Sequence, residues 1–318
     1  MRNSTEERLK RYTARQGTPA WGKDYQPAIQ ATPYEAPKTS RPTILKSLRL
    51  GRDVHTLSSP ETRAALLALY HPALFDLHEQ RVLSPVPAAH PLQGHPHAVG
   101  LTLPNLLGTV VAADQMGAVS RHPKLSLVIE GVRTWVPVPY LGDLLLFLID
   151  EVGPYCVNWT IKATHDDFQR RHTRPGLVQM LEPDPAVELR HQIEALHYQA
   201  ASVRSQRIAG EDFHPELVHN LRELFGWLDD SDYSSAAQRD IVLDCFRQGI
   251  GSSRTLHALT QQADQATGVG EWSVRRIFHK AVWQRELCVD LFRPLLADCT
   301  LRPPSEDPLV RYAAWFAR

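Results

Sequence analysis

The strongest constraint on this chain is a period-two stretch that ends in charge. In "CVNWTIKATHDDF" (156–168), Val157, Trp159 and Ile161 alternate with Asn158, Thr160 and Lys162. That alternation predicts a strand with one buried and one polar face. The polar face ends in Lys162 and leads directly into Thr164, His165, Asp166 and Asp167. An apolar run, "LGDLLLFLI" (141–149), precedes it, and turn residues Asp150, Gly153 and Pro154 lie between, so the two stretches are expected to pair. "DPAVELRHQIEALHYQAAS" (184–202) then reads as a helix opening at the cap-type Asp184, and "SQRIAG" (205–210) as a short strand. Strands alternating with helices point to an α/β domain.

The flanking segments extend this pattern. "SSPETRAALLALYHP" (58–72) has cap-type serines, Pro60 near the first helical position and an Ala-Leu-rich body, all helix signals. "ALFDLHEQRVL" (73–83) reads as a strand, and residues 125–151 as strands around turns. "HPELVHNLRELFGWLDD" (214–230) reads as a further helix. From about residue 231 the chain is mainly helical, closing on the short extended piece "CVDLFRPL". An α/β domain joined to a compact helical domain is expected, with no internal repeat.

Net charge alone names no partner, because Lys+Arg and Asp+Glu number 35 each. Its distribution is uneven: residues 1–52 hold eleven Lys or Arg against four Asp or Glu. Such a Pro-containing basic segment without sustained periodicity reads either as an arm that holds polyanions or as a solvated tail. Cys156, Cys245, Cys288 and Cys299 show no CxxC spacing and read as reduced, mostly buried thiols of a cytosolic protein. The N-terminus lacks an apolar signal core, and the run at 141–149 is too short to span a bilayer and contains Asp143, so no membrane association is expected.

Three groups stand out in chain order: Glu61 on the first strong helix, Asp143 opening an apolar strand after Gly142, and Lys162 on the next strand. Asp143 and Lys162 are 19 residues apart, enough for two paired strands that bring them together. Clustered carboxylates bind Mg²⁺. Such an ion polarises a phosphoryl oxygen and activates a bound water, and a nearby lysine can steady the charge that develops. Acids plus Lys at adjacent strand edges therefore suit metal-dependent phosphodiester hydrolysis. The same residues also read as ordinary surface: Asp143 as a turn residue, Glu61 as a first-turn acid favoured by the helix dipole.

The stretch "ILKSLRLGRDVHTLSSPETRAALLALYHPALFDLHEQRVL" (44–83) resembles the start of the TnsA family, the endonuclease subunit of heteromeric, Tn-seven-like transposases. "YLGDLLLFLIDEVGPYCVNWTIKA" resembles that family's catalytic strand pair, "ALHYQAASVRSQRIAGEDFHPELVHNLRELFGW" its closing section, and "LCVDLFRPL" (287–295) its terminal element. The similarity covers roughly residues 44–83 and 139–298. It implies a restriction-endonuclease-like PD-(D/E)xK core and a C-terminal mainly helical, winged-helix-like domain. The implied organisation is a basic arm over 1–53, a catalytic domain over 54–229 with an insertion at about 84–138, and the helical domain over 230–318. By position the catalytic residues fall on Glu61, Asp143, Thr160 and Lys162. Glu61, Asp143 and Thr160 would hold Mg²⁺, with Mn²⁺ as substitute. The implied activity is cleavage of the 5′ non-transferred strands at transposon ends, in a bacterial, nucleoid-associated setting. The implied partners are DNA, a DDE-type transposase subunit and an AAA+ regulator bound through the C-terminal region. A catalytically weakened scaffold subunit of the same complex is the alternative.

Two departures from the family pattern matter. Thr160 stands where the family usually has Gln or an acid, and Asn158 on the same face could contribute an amide. Gly142 replaces the Pro before the strand Asp. For DNA backbone contacts the sequence offers Lys46, Arg49 and Arg52, and "QRRHTRPG" (169–176) with Arg170, Arg171 and Arg174. His90, His95 and His97 sit in a Pro-Gly-rich stretch and read as a polar loop. "TGVGEWSVRRIFHK" (267–280) resembles a helix-hairpin-helix turn, but reads first as a plain turn into a capped helix. Trp227, Trp272 and Trp283 read as core or interface anchors.

Overall fold

The computed structural model describes residues 5–38, 40–170, 183–228 and 235–318. The chain divides into two compact units. The first comprises Met1–Ala65, Ala73–Asp212 and Trp315–Arg318; the second comprises Leu66–Pro72 and Phe213–Ala314. Together they are a mixed α/β protein.

In chain order, the first unit carries α1 (Thr5–Gln16), β1 (Thr43–Ser47), β2 (Arg52–Thr56), the start of α2 (Ser59–Tyr70), β3 (Leu74–Glu79) and β4 (Val82–Leu83). Then come α3 (Thr109–Gln115), β5 (Lys124–Ile129), β6 (Val132–Pro137), β7 (Tyr140–Leu141), β8 (Leu144–Asp150), β9 (Gly153–Lys162), α4 (Pro185–Gln199) and β10 (Arg204–Ala209). The central sheet has the order β10-β9-β8-β3. β3 and β8 run antiparallel, as do β8 and β9, while β9 and β10 are parallel and α4 makes the crossover between them. Such a crossover is what a parallel pair requires.

Burial explains the sequence pattern in this sheet. Leu144–Leu148 are all buried, and so is every residue from Cys156 to Ile161. A strand covered on both faces loses its apolar-polar alternation. The polar face expected at Asn158 and Thr160 is thus interior, and both residues must find partners there. α4 presents His191, Glu194, His197 and Tyr198 to the interior, spaced as one face of a helix. Its N-terminus is capped by Asp184, which accepts from the Ala186 amide at 2.8 Å.

The N-terminal segment differs from the expected arm. α1 buries Tyr12, and Arg15 pairs with Glu35 through two bonds of 2.7 and 2.8 Å. Tyr25 is buried, stacks on His78 at 3.8 Å and donates to the Glu79 carbonyl at 2.7 Å. The basic residues misled because apolar anchors spaced this widely carry no periodic signal, yet Tyr12 is buried and Tyr25 packs on β3.

The second unit holds α5 (Pro215–Gly226), α6 (Ala236–Gly249), α7 (Leu256–Thr267) and α8 (Glu271–Trp283), followed by the short α9 (Pro308–Arg311) and, crossing the unit boundary, α10 (Ala313–Phe316). α6 opens with a reciprocal capping box between Ser235 and Gln238. Gly249 lets α6 and α7 pack closely, since a Cβ there would displace the Leu259 side chain, 2.4 Å away. α7 ends at left-handed Gly268 (φ 67°), the usual stop for a helix. Among the described residues this unit has one β-bridge, Thr255 with Thr300, and no strand pair of the kind that makes a wing. All four cysteines are free, but Cys156 alone is buried and Cys288 is exposed.

Candidate active site

β8 and β9 pair so that Leu144 lies opposite Trp159, which puts Asp143, just before β8, beside the end of β9. One Asp143 oxygen accepts from the Ile161 amide at 2.7 Å and lies 3.6 Å from the Lys162 ammonium. Lys162 in turn donates to the Ile161 carbonyl at 3.0 Å. Both side chains are 18% exposed, so solvent reaches the pair. A strand this apolar therefore ends in lysine because its last residue leaves the core at a half-open edge carrying a carboxylate.

Glu61 approaches from the first turn of α2. Its carboxylate accepts from the Leu57 amide at 2.9 Å, the Ser58 hydroxyl at 2.8 Å and the Gln80 amide group at 3.0 Å. The Ser58 hydroxyl also accepts from the Glu61 amide at 3.3 Å. Glu61 thus ties the helix entrance together and at the same time feels Asp143. Burial, then the negative charge of Asp143, push its carboxyl up to about 7, against the opposing pull of Leu57, Ser58 and Lys162. Gln80 links the two sides: its backbone, at φ 50°, donates to the Asp143 carbonyl at 3.0 Å.

Thr160 has a buried partner of its own. Its hydroxyl donates at 3.1 Å to Glu194, and the Asn158 side chain donates to the same oxygen at 3.0 Å. Glu194 is 1% exposed, and its carboxyl is raised by burial and by the charge of Asp143. A carboxylate thus reaches the β9 face from α4 at the position where the strand itself supplies only a hydroxyl. Glu194 and Gln80 are the residues that sequence reasoning missed. Glu194 had a readable signal, an acid on the buried face of an amphipathic helix; the role of Gln80 depends on a left-handed residue in the break between β3 and β4, which has none.

Asp143, Lys162, Glu61, Thr160 and Glu194 are linked by these bonds and charges, but the carboxylates do not close on one point. Among the described residues, no three His, Cys, Asp or Glu side chains gather into a ligand cluster as they stand. The donors that could face a cation are the Asp143 carboxylate, the Ile161 carbonyl, and the carboxylates of Glu61 and Glu194.

The expected DNA contacts separate. Lys46 and Arg49 are exposed. Arg52 is not: its guanidinium holds Glu79 at 2.8 and 2.9 Å, with side-chain exposures of 6% and 0%, and it lies 4.8 Å from the Tyr25 ring centre. It is a structural ion pair rather than a phosphate contact. Arg170 pairs with Asp166 at 3.2 Å on the surface. Arg171 and Arg174 lie outside the described residues. His90 is buried and His95 and His97 pack against Phe75, a packed loop. Trp227 packs against Trp272 at 4.3 Å, and Trp272 remains 63% exposed.

No protein-family model matches the chain, and no curated protein matches its sequence. No helix among the described residues is long and apolar enough to cross a membrane.

Proposed function

We propose that this chain is a divalent-metal-dependent DNA endonuclease, the subunit of a cut-and-paste transposase that cleaves the 5′ non-transferred strands at transposon ends. The observation that carries this reading is the Asp143–Lys162 pair at the adjoining edges of β8 and β9, with Glu61 and Glu194 approaching from separate helices. The four-stranded sheet β10-β9-β8-β3, with α4 crossing between its parallel strands, supports a restriction-endonuclease-like PD-(D/E)xK core.

The residues fit a hard cation by charge. Burial and then the negative charge of Asp143 raise the carboxyls of both Glu61 and Glu194, and Lys162 offsets less than Asp143 adds. Asp143 and the Ile161 carbonyl would hold the ion, with Glu61 and Glu194 completing the negative field. A bound Mg²⁺ or Mn²⁺ would supply Lewis-acid polarisation of the scissile phosphate and an activated water. Asp143 keeps the end of β9 in register through the Ile161 amide. Lys162, half-open to solvent, presents its remaining N–H donors to a phosphate oxygen, where charge grows during hydrolysis. Thr160 and Asn158 fix the Glu194 carboxylate. On this reading a DDE-type transposase cuts and joins the 3′ ends, an AAA+ regulator binds the helical C-terminal region, and the protein works at the bacterial nucleoid.

A second reading, a weakened scaffold subunit that binds DNA without cutting, draws on the open spacing of the carboxylates. Strand-specific cleavage of labelled transposon-end DNA with the neighbouring transposase, in Mg²⁺ and Mn²⁺, separates the two. Cuts in the 5′ strands that vanish in Lys162→Ala support the endonuclease. Intact 5′ strands in an assembled wild-type complex support the scaffold.

A further inference from the structure

Among the described residues, β5 and β6 form a two-stranded ribbon that joins neither the central sheet nor any other strand. Its turn residues Glu130 and Gly131 both have positive φ (51° and 81°), the geometry that closes a tight, right-twisted hairpin. The register sorts its side chains by face. Leu125 pairs with Val136 and Leu127 with Thr134 on one face, where Leu125, Leu127 and Val136 are half-buried. The other face pairs Lys124 with Pro137, Ser126 with Trp135 and Val128 with Arg133. There Lys124 and Arg133 are exposed, with Val128 at 72% and Trp135 at 62% exposure. Lys124 lies 5.4 Å from the Trp135 ring centre.

We infer that this face is a DNA-contacting surface that seats the ribbon in a groove of the duplex next to the scissile phosphate. The inference rests on the endonuclease reading above. Two cations flank an exposed aromatic ring on a face with no acid, and exposed Arg121 adds a third positive charge at the ribbon's base. The single acid, Glu130, sits at the turn. Cations meet phosphates, and a tryptophan face stacks on bases or wedges between them. Dimensions agree: strands of six residues are about 20 Å long, and a two-stranded ribbon enters a major groove about 12 Å wide. The tether is short. Pro137 and Asp143 are six positions apart, which limits their separation to about 20 Å, or roughly six base pairs.

The test measures binding of the full chain to a labelled transposon-end duplex in EDTA across a salt series, with hydroxyl-radical footprints, for wild type, Trp135→Ala and the Lys124→Ala/Arg133→Ala pair. These side chains are exposed, so matching thermal melts are expected. Trp135→Ala should weaken binding about tenfold. The double variant should flatten the log–log salt slope by nearly 2, at about 0.9 per phosphate contact. The footprint should shrink on one side of the cut. Unchanged affinity and slope overturn the inference, as does a wild-type chain that binds no duplex. So does loss of the transposase partner with DNA binding intact, since the face would then be a protein interface. The outcomes keep the two proposals apart: ribbon variants that lose DNA while cleavage proves independent of Lys162 sink only the endonuclease reading, and Lys162-dependent cleavage with normal ribbon variants sinks only the ribbon.

Discussion

Thr160 donates its hydroxyl to Glu194 at 3.1 Å, joining the end of β9 to the buried face of α4. The bond accounts for a strand that carries a hydroxyl where the resembling family usually carries Gln or an acid. A carboxyl reaches this place from a helix 34 residues further on, and the hydroxyl holds it there. Glu194→Gln is expected to lower cleavage on the order of a hundredfold or more, while Asn158 and Thr160 keep a partner and the fold stands. Returning the charge to the strand in Thr160→Glu/Glu194→Gln should recover part of the loss. Full activity in Glu194→Gln alone would remove the helix carboxylate from the site.

Arg52 tests the difference between a phosphate contact and a structural pair. Arg52→Ala strands Glu79 as a buried, unpaired charge, and the expected cost is about 3–5 kcal/mol of folding stability. Urea titration would read this as a lower midpoint with an unchanged slope. DNA affinity should fall no further than the folded fraction does; a specific DNA defect in a stably folded variant would restore Arg52 to the DNA interface.

Glu61 makes a signed prediction about pH. Its carboxyl is raised in the folded protein to about 7 from an ordinary 4.5. Between those values the folded state binds the extra proton, so this group's contribution to stability falls as pH rises. Relative to wild type, Glu61→Gln should therefore gain stability between pH 5 and pH 8, by on the order of 2–3 kcal/mol in chelator. Denaturant titrations at the two pH values would measure the difference. A constant offset would mean that the carboxyl is not raised.

Buried histidines work in the opposite direction. Burial lowers His78 to about 3, and His90, His191 and His197 to about 4, from an ordinary 6.5. As pH falls below 6.5 the unfolded chain takes up protons that the folded chain refuses, so stability is lost progressively toward pH 4. Melting curves between pH 7 and pH 4.5 should show a steady decline, and a flat profile in Glu61→Gln would contradict the burial of these imidazoles.

The sequence by itself determined the elements whose signals are local. The helix at Ser59–Tyr70 came from its cap serines and Ala-Leu run, α4 from Asp184, and β8 and β9 from apolar runs around a turn. It also brought forward Glu61, Asp143 and Lys162, because 19 residues and one turn suffice to imply a strand pair. Only the tertiary structure decided what surrounds them. Glu194 reaches Thr160 through a crossover that no local pattern encodes, and Gln80 bridges Glu61 and Asp143 from the break between β3 and β4, where its backbone is left-handed. Arg52 is written as one more basic residue of an arm, and it became a core ion pair because Glu79, 27 residues later, had to be neutralised where water is excluded. Periodicity reports which face of an element is apolar; it does not report which polar groups from distant elements must satisfy one another once both faces are covered.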